Sequence, residues 1–432
     1  MELYAKRLFD LGSENAFKMG AHITAVELQG KNVIKLNLGE PDFNIPDCMK
    51  AEIKHQIDLN NTHYCNPKGL LTLREAISRQ IYATRGLTVS PDRIVVFPGA
   101  KPSIGFSQAV YCNPNDEIIY PSPGFPIYES FIHYVGAIPK PIHLKESAGF
   151  SLLPEQLANA ITPKTKLIFL NFPSNPTGGV ATPEQLQALS QVILNKCNEH
   201  TRVYSDEIYE HITFDGTRHH SIASLPGMEE RTIISSGFSK TFAWTGGRVG
   251  YAILPSIDEA NMFTNLNINY FSCVPPYNQE AARVGLEYED AQAKVKEMVG
   301  IFQRRRDLML KALGEIPGLT TQKPSGAFYL FPNIENASEK LGVLQAFEQL
   351  PEAMKTKTSP STLFQMFALY YHGVAIMDRR SFCKLGSETE HYIRISCAAE
   401  DSVLIEGAKR LKNAFEDNTG FRQFIRGKGP WY

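Results

Sequence analysis

The chain has 432 residues, of which 43% are hydrophobic and 21% charged, with 44 Lys and Arg against 45 Asp and Glu. A formal net charge of -1 argues against nucleic acid as the main partner, because phosphate binding draws on a clustered basic excess. At roughly 150 residues per domain, the length is worth two or three domains, enough core to need neither disulfides nor a structural metal.

No apolar run approaches the ~18–20 residues that span a bilayer, so no membrane segment is expected. The N-terminus, MELYAKRLFDLGSENAF, lacks an apolar h-region and predicts no secretory signal. Seven scattered cysteines, odd in number and without a CxxC, fit a reducing compartment better than a disulfide framework or zinc site. A soluble, cytoplasmic protein is expected.

In chain order, an amphipathic helix is predicted at 69–85, then a strand at 93–97 (RIVVF), a helix at 102–112 and a strand at 117–120 (EIIY). KLIFLNF (166–172) is a strand, 183–198 a helix, and RVYS (202–205), TIISS (232–236) and VGYAIL (249–254) are further strands. A long helix is predicted over 278–315, then strands AFYLF (327–331) and YIRIS (392–396), with 335–372 as an insertion. The tail after Asn418 shows no clear periodicity. Short Val- and Ile-rich runs separated by helical stretches predict an α/β fold around a mostly parallel sheet.

Ligands of such sheets bind beyond the carboxyl ends of the strands, so the residues that follow each strand carry the chemistry. They are Gly99-Ala100-Lys101, Gly124-Phe125, Ser174-Asn175-Pro176-Thr177-Gly178, Asp206-Glu207-Ile208-Tyr209 and Gly237-Phe238-Ser239-Lys240. Taken singly, the first is a plain helix start or an anion nest, Asp206 a helix N-cap and Lys240 a surface lysine. No Walker A loop, GxGxxG, HExxH or GxSxG occurs. Together, a lysine, a carboxylate, an amide, a flat ring and an anion nest are what pyridoxal 5'-phosphate requires of a protein.

The motifs LNLGEPDF (36–43), YCNPKGLLTLREAI (64–77), NFPSNPTGG (171–179), DEIYEHITFDG (206–216), SGFSKTFAWTGGRVGY (236–251), PSGAFYLFP (324–332) and YIRIS resemble those of class I/II aminotransferases. That is the aspartate aminotransferase-like branch of the fold-type I pyridoxal phosphate enzymes. The resemblance runs over roughly 30–410. It implies a large domain (51–300) with a seven-stranded, mostly parallel sheet, and a small domain built from both chain ends (1–50 and 301–432). It also implies a homodimer with shared active sites.

By the same resemblance, Lys240 carries the cofactor and then moves the Cα proton, and Asp206 keeps the ring nitrogen protonated. Asn175 and Tyr209 bond its phenolic oxygen, with Asn175 also near substrate, and Phe125 stacks on the ring. Arg248 and the Gly99-Ala100-Lys101 turn hold the phosphate, with Ser236 or Ser239. Tyr64 reaches the phosphate in the neighbouring subunit. Arg394 binds the substrate α-carboxylate with a planar fork, and the backbone of Gly39 closes over it.

Departures from the family pattern are Phe125 for Trp or Tyr, Gly237 for a hydroxyl residue, and TGGR for TGWR at Gly247. A late loop reads MDRRSF (377–382), where Arg379 or Arg380 either reads an anionic substrate or pairs with nearby acids. The expected activity is amino transfer between an L-amino acid, aspartate or glutamate in first place, and a 2-oxo acid. The alternatives are other reactions of this cofactor, namely C–S elimination, decarboxylation or racemisation, and a non-catalytic regulator half.

Overall fold

The computed structural model describes residues 3–9, 11–12 and 15–427. Its central sheet has seven strands in the spatial order Ile94–Phe97, Gly250–Ile253, Thr232–Gly237, Arg202–Asp206, Thr165–Asn171, Glu117–Ser122 and Ile138–His143. Only Gly250–Ile253 runs antiparallel to both of its neighbours. The other pairings are parallel. Both faces are covered, as a parallel sheet demands. Leu167 and Phe169 pack into one core, Ile168 and Leu170 into another.

Local sequence explains much of this. The helix Pro183–Lys196 begins with a capping box, in which Gln185 N–H donates to Thr182 Oγ1 (3.2 Å) and Thr182 N–H to Gln185 Oε1 (2.9 Å). The helix Leu71–Arg85 stops at Gly86, which is left-handed (φ 69°).

Two expectations are corrected, and one further strand appears that the sequence patterns did not announce. Ile138–His143 is a strand despite Pro139 and Pro141, because it lies at the sheet edge, where missing N–H groups break no ladder. The helix predicted over 278–315 is two, Pro276–Glu287 and Glu289–Gly314, turning at an extended Tyr288. Gln292 Nε2 donates to Gly285 O (2.8 Å) across that turn, so the corner's carbonyl is not left unpaired. Most of the tail is also ordered: Asn418–Arg426 is a helix that buries Phe421 and Phe424, while 428–432 lie outside the described residues.

Residues near both chain ends meet. Ile34 and Lys35 pair in parallel with Val374 and Ala375. Beside them, Met377–Asp378, Ile393–Ser396 and Tyr329–Leu330 form a three-stranded antiparallel sheet. The segment 335–372 folds as four helices, the last being Pro360–His372, whose first ten residues are buried. No helix among the described residues is long and apolar enough to cross a membrane.

Candidate active site

The ends of the parallel strands open into a cavity of about 570 Å³. Register puts Asn171, Asp206 and Ser235 side by side on adjacent strands. Asn171 ties two strand ends together, donating through Nδ2 to Asp206 O (3.1 Å) and accepting through Oδ1 from Asn175 N–H (2.9 Å).

Asp206 is buried at the cavity floor and accepts from the Tyr128 hydroxyl (2.6 Å) and the Ile208 N–H (3.3 Å). Burial pushes its carboxyl up to about 6, and the Tyr128 bond only partly offsets the loss of water. Both groups that donate to it are neutral, which suits the carboxylate to a positive charge supplied from outside the chain.

Lys240 sits in the short helix Phe238–Thr241 at the end of its strand, and its Nζ donates to Gly39 O (2.6 Å). A side chain at Gly237 would put Cβ 2.9 Å from Gly250 Cα, which explains the missing hydroxyl residue there. On the far side, the helix Lys101–Tyr111 points its N-terminus at the cavity wall formed by Ala100 and Lys101. Arg248 leans across that turn and donates to Pro98 O (3.0 Å) and Thr245 O (2.7 Å). Gly99 makes the approach possible: its φ is +85°, and a Cβ would stand 2.1 Å from Arg248 Nη2. Helix N-terminus, guanidinium and Ser239 together make an anion cradle. Lys101 Nζ lies 5.7 Å over the Phe125 ring, which also lines the cavity.

The opposite wall is aromatic and cationic. Arg394 is buried between the rings of Tyr329 and Phe382, 4.4 and 4.7 Å from their centroids. Its Nη1 donates to Asn175 Oδ1 (3.0 Å) and its Nη2 to Asn37 O (2.6 Å). Tyr209 is buried with its hydroxyl 2.7 Å from that of Tyr329, and burial first, then its neighbouring phenol, holds it well above the ordinary phenol range.

Of the residues singled out from sequence, Gly39, Ala100, Lys101, Phe125, Asn175, Asp206, Tyr209, Ser239, Lys240, Arg248 and Arg394 line this one cavity. Gly99 shapes it from behind. Ser236 does not reach it, because its hydroxyl donates to Glu210 Oε1 (2.7 Å) beneath the strand. Tyr64 is 88% exposed and lines no part of its own chain's cavity. Arg379 is buried and committed to Glu390, Phe382 O (2.7 Å), Cys383 O (3.1 Å) and Ser122 (2.9 Å). Arg380 donates to Thr358 O (2.7 Å) and Thr356 O (2.9 Å). Neither arginine lines the cavity. Gly247 leaves space for Trp244, whose indole a Cβ would meet at 2.0 Å.

Sequence reasoning missed Tyr128, Asn171 and Tyr329 as site residues. Only Tyr128 carried a local signal, lying one helical turn after Phe125 in the helix Pro126–Tyr134.

A lysine, a buried carboxylate and a carboxylate-binding arginine gathered at the strand ends of a doubly covered sheet define a fold-type I transferase. The family model described as Aminotransferase class I and II matches residues 31–411. The chain is 33% identical over 391 residues to aromatic-amino-acid aminotransferase 2 of Thermococcus litoralis, covering 90% of this chain and 92% of that one. It is 34% identical over 391 residues to the aspartate aminotransferase of Pyrococcus abyssi, with the same coverage. Among solved structures, an aspartate aminotransferase from Thermus thermophilus with maleate superposes with a TM-score of 0.82 at 27% identity, covering 96% of this chain and 100% of that one. The chain belongs to the class I and II aminotransferases. It is an enzyme that transfers amino groups, and its family does so with pyridoxal phosphate.

Proposed function

We propose that this aminotransferase passes the amino group of an acidic L-amino acid, aspartate or glutamate, to a 2-oxo acid by a ping-pong mechanism. One observation carries the reading: Lys240, Asp206, Asn175 and Arg394 line a single cavity together with a further cation, Lys101.

The residues fit the cofactor. Asp206 is a buried carboxylate whose donors are a hydroxyl and a backbone N–H, suited to a protonated ring nitrogen. The Gly99 turn is a cradle that a Cβ would fill, and with Arg248 and Ser239 it suits a phosphate. Phe125 would lie against the ring, and Asn175 and Tyr209 would bond its phenolic oxygen. When bound, pyridoxal phosphate supplies an electron sink for the charge left at the substrate Cα.

Arg394 binds the α-carboxylate and so fixes the direction of the Cα–H bond. Its sandwich between two rings leaves the guanidinium little freedom to swing. Lys240 Nζ is the group placed to take the Cα proton as general base and to give it back as general acid. Gly39 O, now bonded to that amine, belongs to the segment that shields the site from water. The maleate of the Thermus neighbour is a dicarboxylate, which supports an acidic substrate, and Lys101 adds to the positive charge of the cavity wall. Aromatic donors are the second reading, favoured by Leu38, Ile104 and Met377 in the lining.

The pairing of Ile34–Lys35 with Val374–Ala375 supports a small domain from 1–50 and 301–432 beside a large one from 51–300. Exposed Tyr64 supports a homodimer in which it serves the partner's phosphate site. Seven free cysteines support a cytoplasmic location.

The test is an absorbance scan of protein loaded with pyridoxal phosphate against a panel of L-amino acids. Aspartate and glutamate should bleach the visible cofactor band, a 2-oxo acid should restore it, and Lys240→Ala should abolish turnover. Release of ammonia or pyruvate without an acceptor would point instead to elimination. Failure to form any cofactor band would refute the assigned roles of Lys240 and Asp206.

A further inference from the structure

Tyr329 stands where the groups assigned to cofactor and to substrate meet. Its ring carries the Arg394 guanidinium at 4.4 Å, and its hydroxyl is 2.7 Å from that of Tyr209. A Cβ at Gly39 would fall 1.9 Å from the Tyr329 oxygen, so the segment whose carbonyl accepts from Lys240 lies directly on this phenol. Tyr329 is itself buried and lines the cavity. Its strand is fixed in register with that of Arg394, with Ser396 opposite Tyr329 and Ile395 opposite Leu330. One side chain therefore touches the residues assigned to the carboxylate, to the phenolic oxygen and to closure.

We propose that Tyr329 is a positioning residue with two tasks: its ring holds Arg394 for the substrate carboxylate, and its hydroxyl sets the hydrogen-bonding strength of Tyr209. The inference rests on the roles proposed above for those two residues. Its two parts act separately. The ring face holds the guanidinium by a desolvated cation–π contact. Either hydroxyl can donate across this contact; once Tyr209 donates to the cofactor, the Tyr329 hydroxyl is the donor between them and makes Tyr209 a stronger donor in turn, as hydrogen bonds in a chain polarise one another. A stronger donor to the cofactor's phenolic oxygen drains negative charge from it and weakens its hold on the nearby proton. The pH midpoint of the cofactor band is thereby kept low.

Two variants separate the parts. Tyr329→Phe keeps the ring and removes the hydroxyl, whereas Tyr329→Leu removes both. The readouts are the pH midpoint of the visible band in the loaded enzyme, and calorimetric binding of succinate, a dicarboxylate that cannot react. Tyr329→Phe should raise the midpoint while leaving the succinate Kd within about twofold. Tyr329→Leu should in addition weaken succinate roughly tenfold, about 1.4 kcal/mol.

A double-mutant cycle then decides whether the hydroxyl acts through Tyr209. In a Tyr209→Phe background, Tyr329→Phe should no longer move the midpoint. An unchanged midpoint in the single variant, or an equal shift in both backgrounds, would overturn the part assigned to the hydroxyl. A Tyr329→Leu variant that binds succinate like the parent would overturn the part assigned to the ring. These failures differ from failure of the proposed function, which shows as a parent protein with no cofactor band at all.

Discussion

Asp206 and Glu207 are consecutive at one strand end, yet their surroundings are opposite. Asp206 faces the cavity, meets a single hydroxyl and one N–H, and is pushed up to about 6 by burial. Glu207 turns behind the strand, as alternation requires. There Arg85 Nη2 stands 2.6 Å from it and His219 2.9 Å, while Ser221 and Ser205 donate at 2.6 and 2.8 Å. Burial opposes its charge too, but Arg85 and His219 outweigh that and hold it well below the ordinary carboxylate range. Arg85 also pairs with Glu210, which receives the Ser236 hydroxyl. The saturated carboxylates thus anchor the strand that leads to Lys240 and the turn that carries Tyr209. The unsaturated one is left for a ligand's positive charge. Within one buried DEIYE segment, completeness of pairing separates scaffold from site.

The comparison breaks most severely at Arg85. Arg85→Met would strand two buried carboxylates, and losing one partner of a buried ion pair costs about 3–5 kcal/mol. Urea unfolding should show that loss. A loss below about 1 kcal/mol would mean that water or rearrangement compensates and that the cluster is no anchor.

Asp206→Asn should act in the opposite direction on stability while removing activity. With a folded value of about 6, above that of the unfolded chain, Asp206 holds a proton in the folded state that the unfolded state releases. In the cofactor-free protein its contribution therefore becomes less favourable as pH rises from about 4 to about 6, and stays so above. The asparagine lacks that slope. Near pH 4 the two proteins should unfold alike, and at pH 7 the variant should be more stable by up to about 3 kcal/mol. Equal stability at pH 7 would show that Asp206 is not poised at a cost. Glu207→Gln, by contrast, should lose stability at pH 7.

Much of the site was legible because its residues directly follow strands, and strand ends are fixed by short apolar runs. Lys240, Asp206, Asn175 and Ala100-Lys101 needed only those runs and the rule that ligands lie beyond them. Arg394 needed the family pattern, since an arginine in a strand has no chemistry of its own. What sequence hid was contact across distance. Tyr209 and Tyr329 are 120 positions apart, and only the pairing of 329–330 with 395–396 brings the second phenol to the first. The family resemblance implied Ser236 as a phosphate ligand, but the strand turns it toward Glu210. The corner at Tyr288 carries neither Gly nor Pro to announce it, and the edge strand at 138–143 was masked by its prolines.

The finest test of the contrast lies at Tyr128, whose hydroxyl donates to Asp206 beside the Ile208 N–H. Its ring stacks on Phe169 at 4.6 Å, so Tyr128→Phe preserves packing and deletes one donor. Hydrogen bonds to charged groups contribute about 2 kcal/mol, and that loss should appear at pH 7, where Asp206 is ionised. The carboxyl should rise further above about 6, because the deleted bond favoured its charged form. When Asp206 is already Asn, the same deletion removes only a neutral bond, and the loss should shrink to about 1 kcal/mol. A Tyr128→Phe loss of the same size beside Asp206 and beside Asn would mean that the hydroxyl serves the helix and not the carboxylate. A loss that shrinks identifies Tyr128 as the support that keeps a deliberately underpaired acid ionised until a cation arrives.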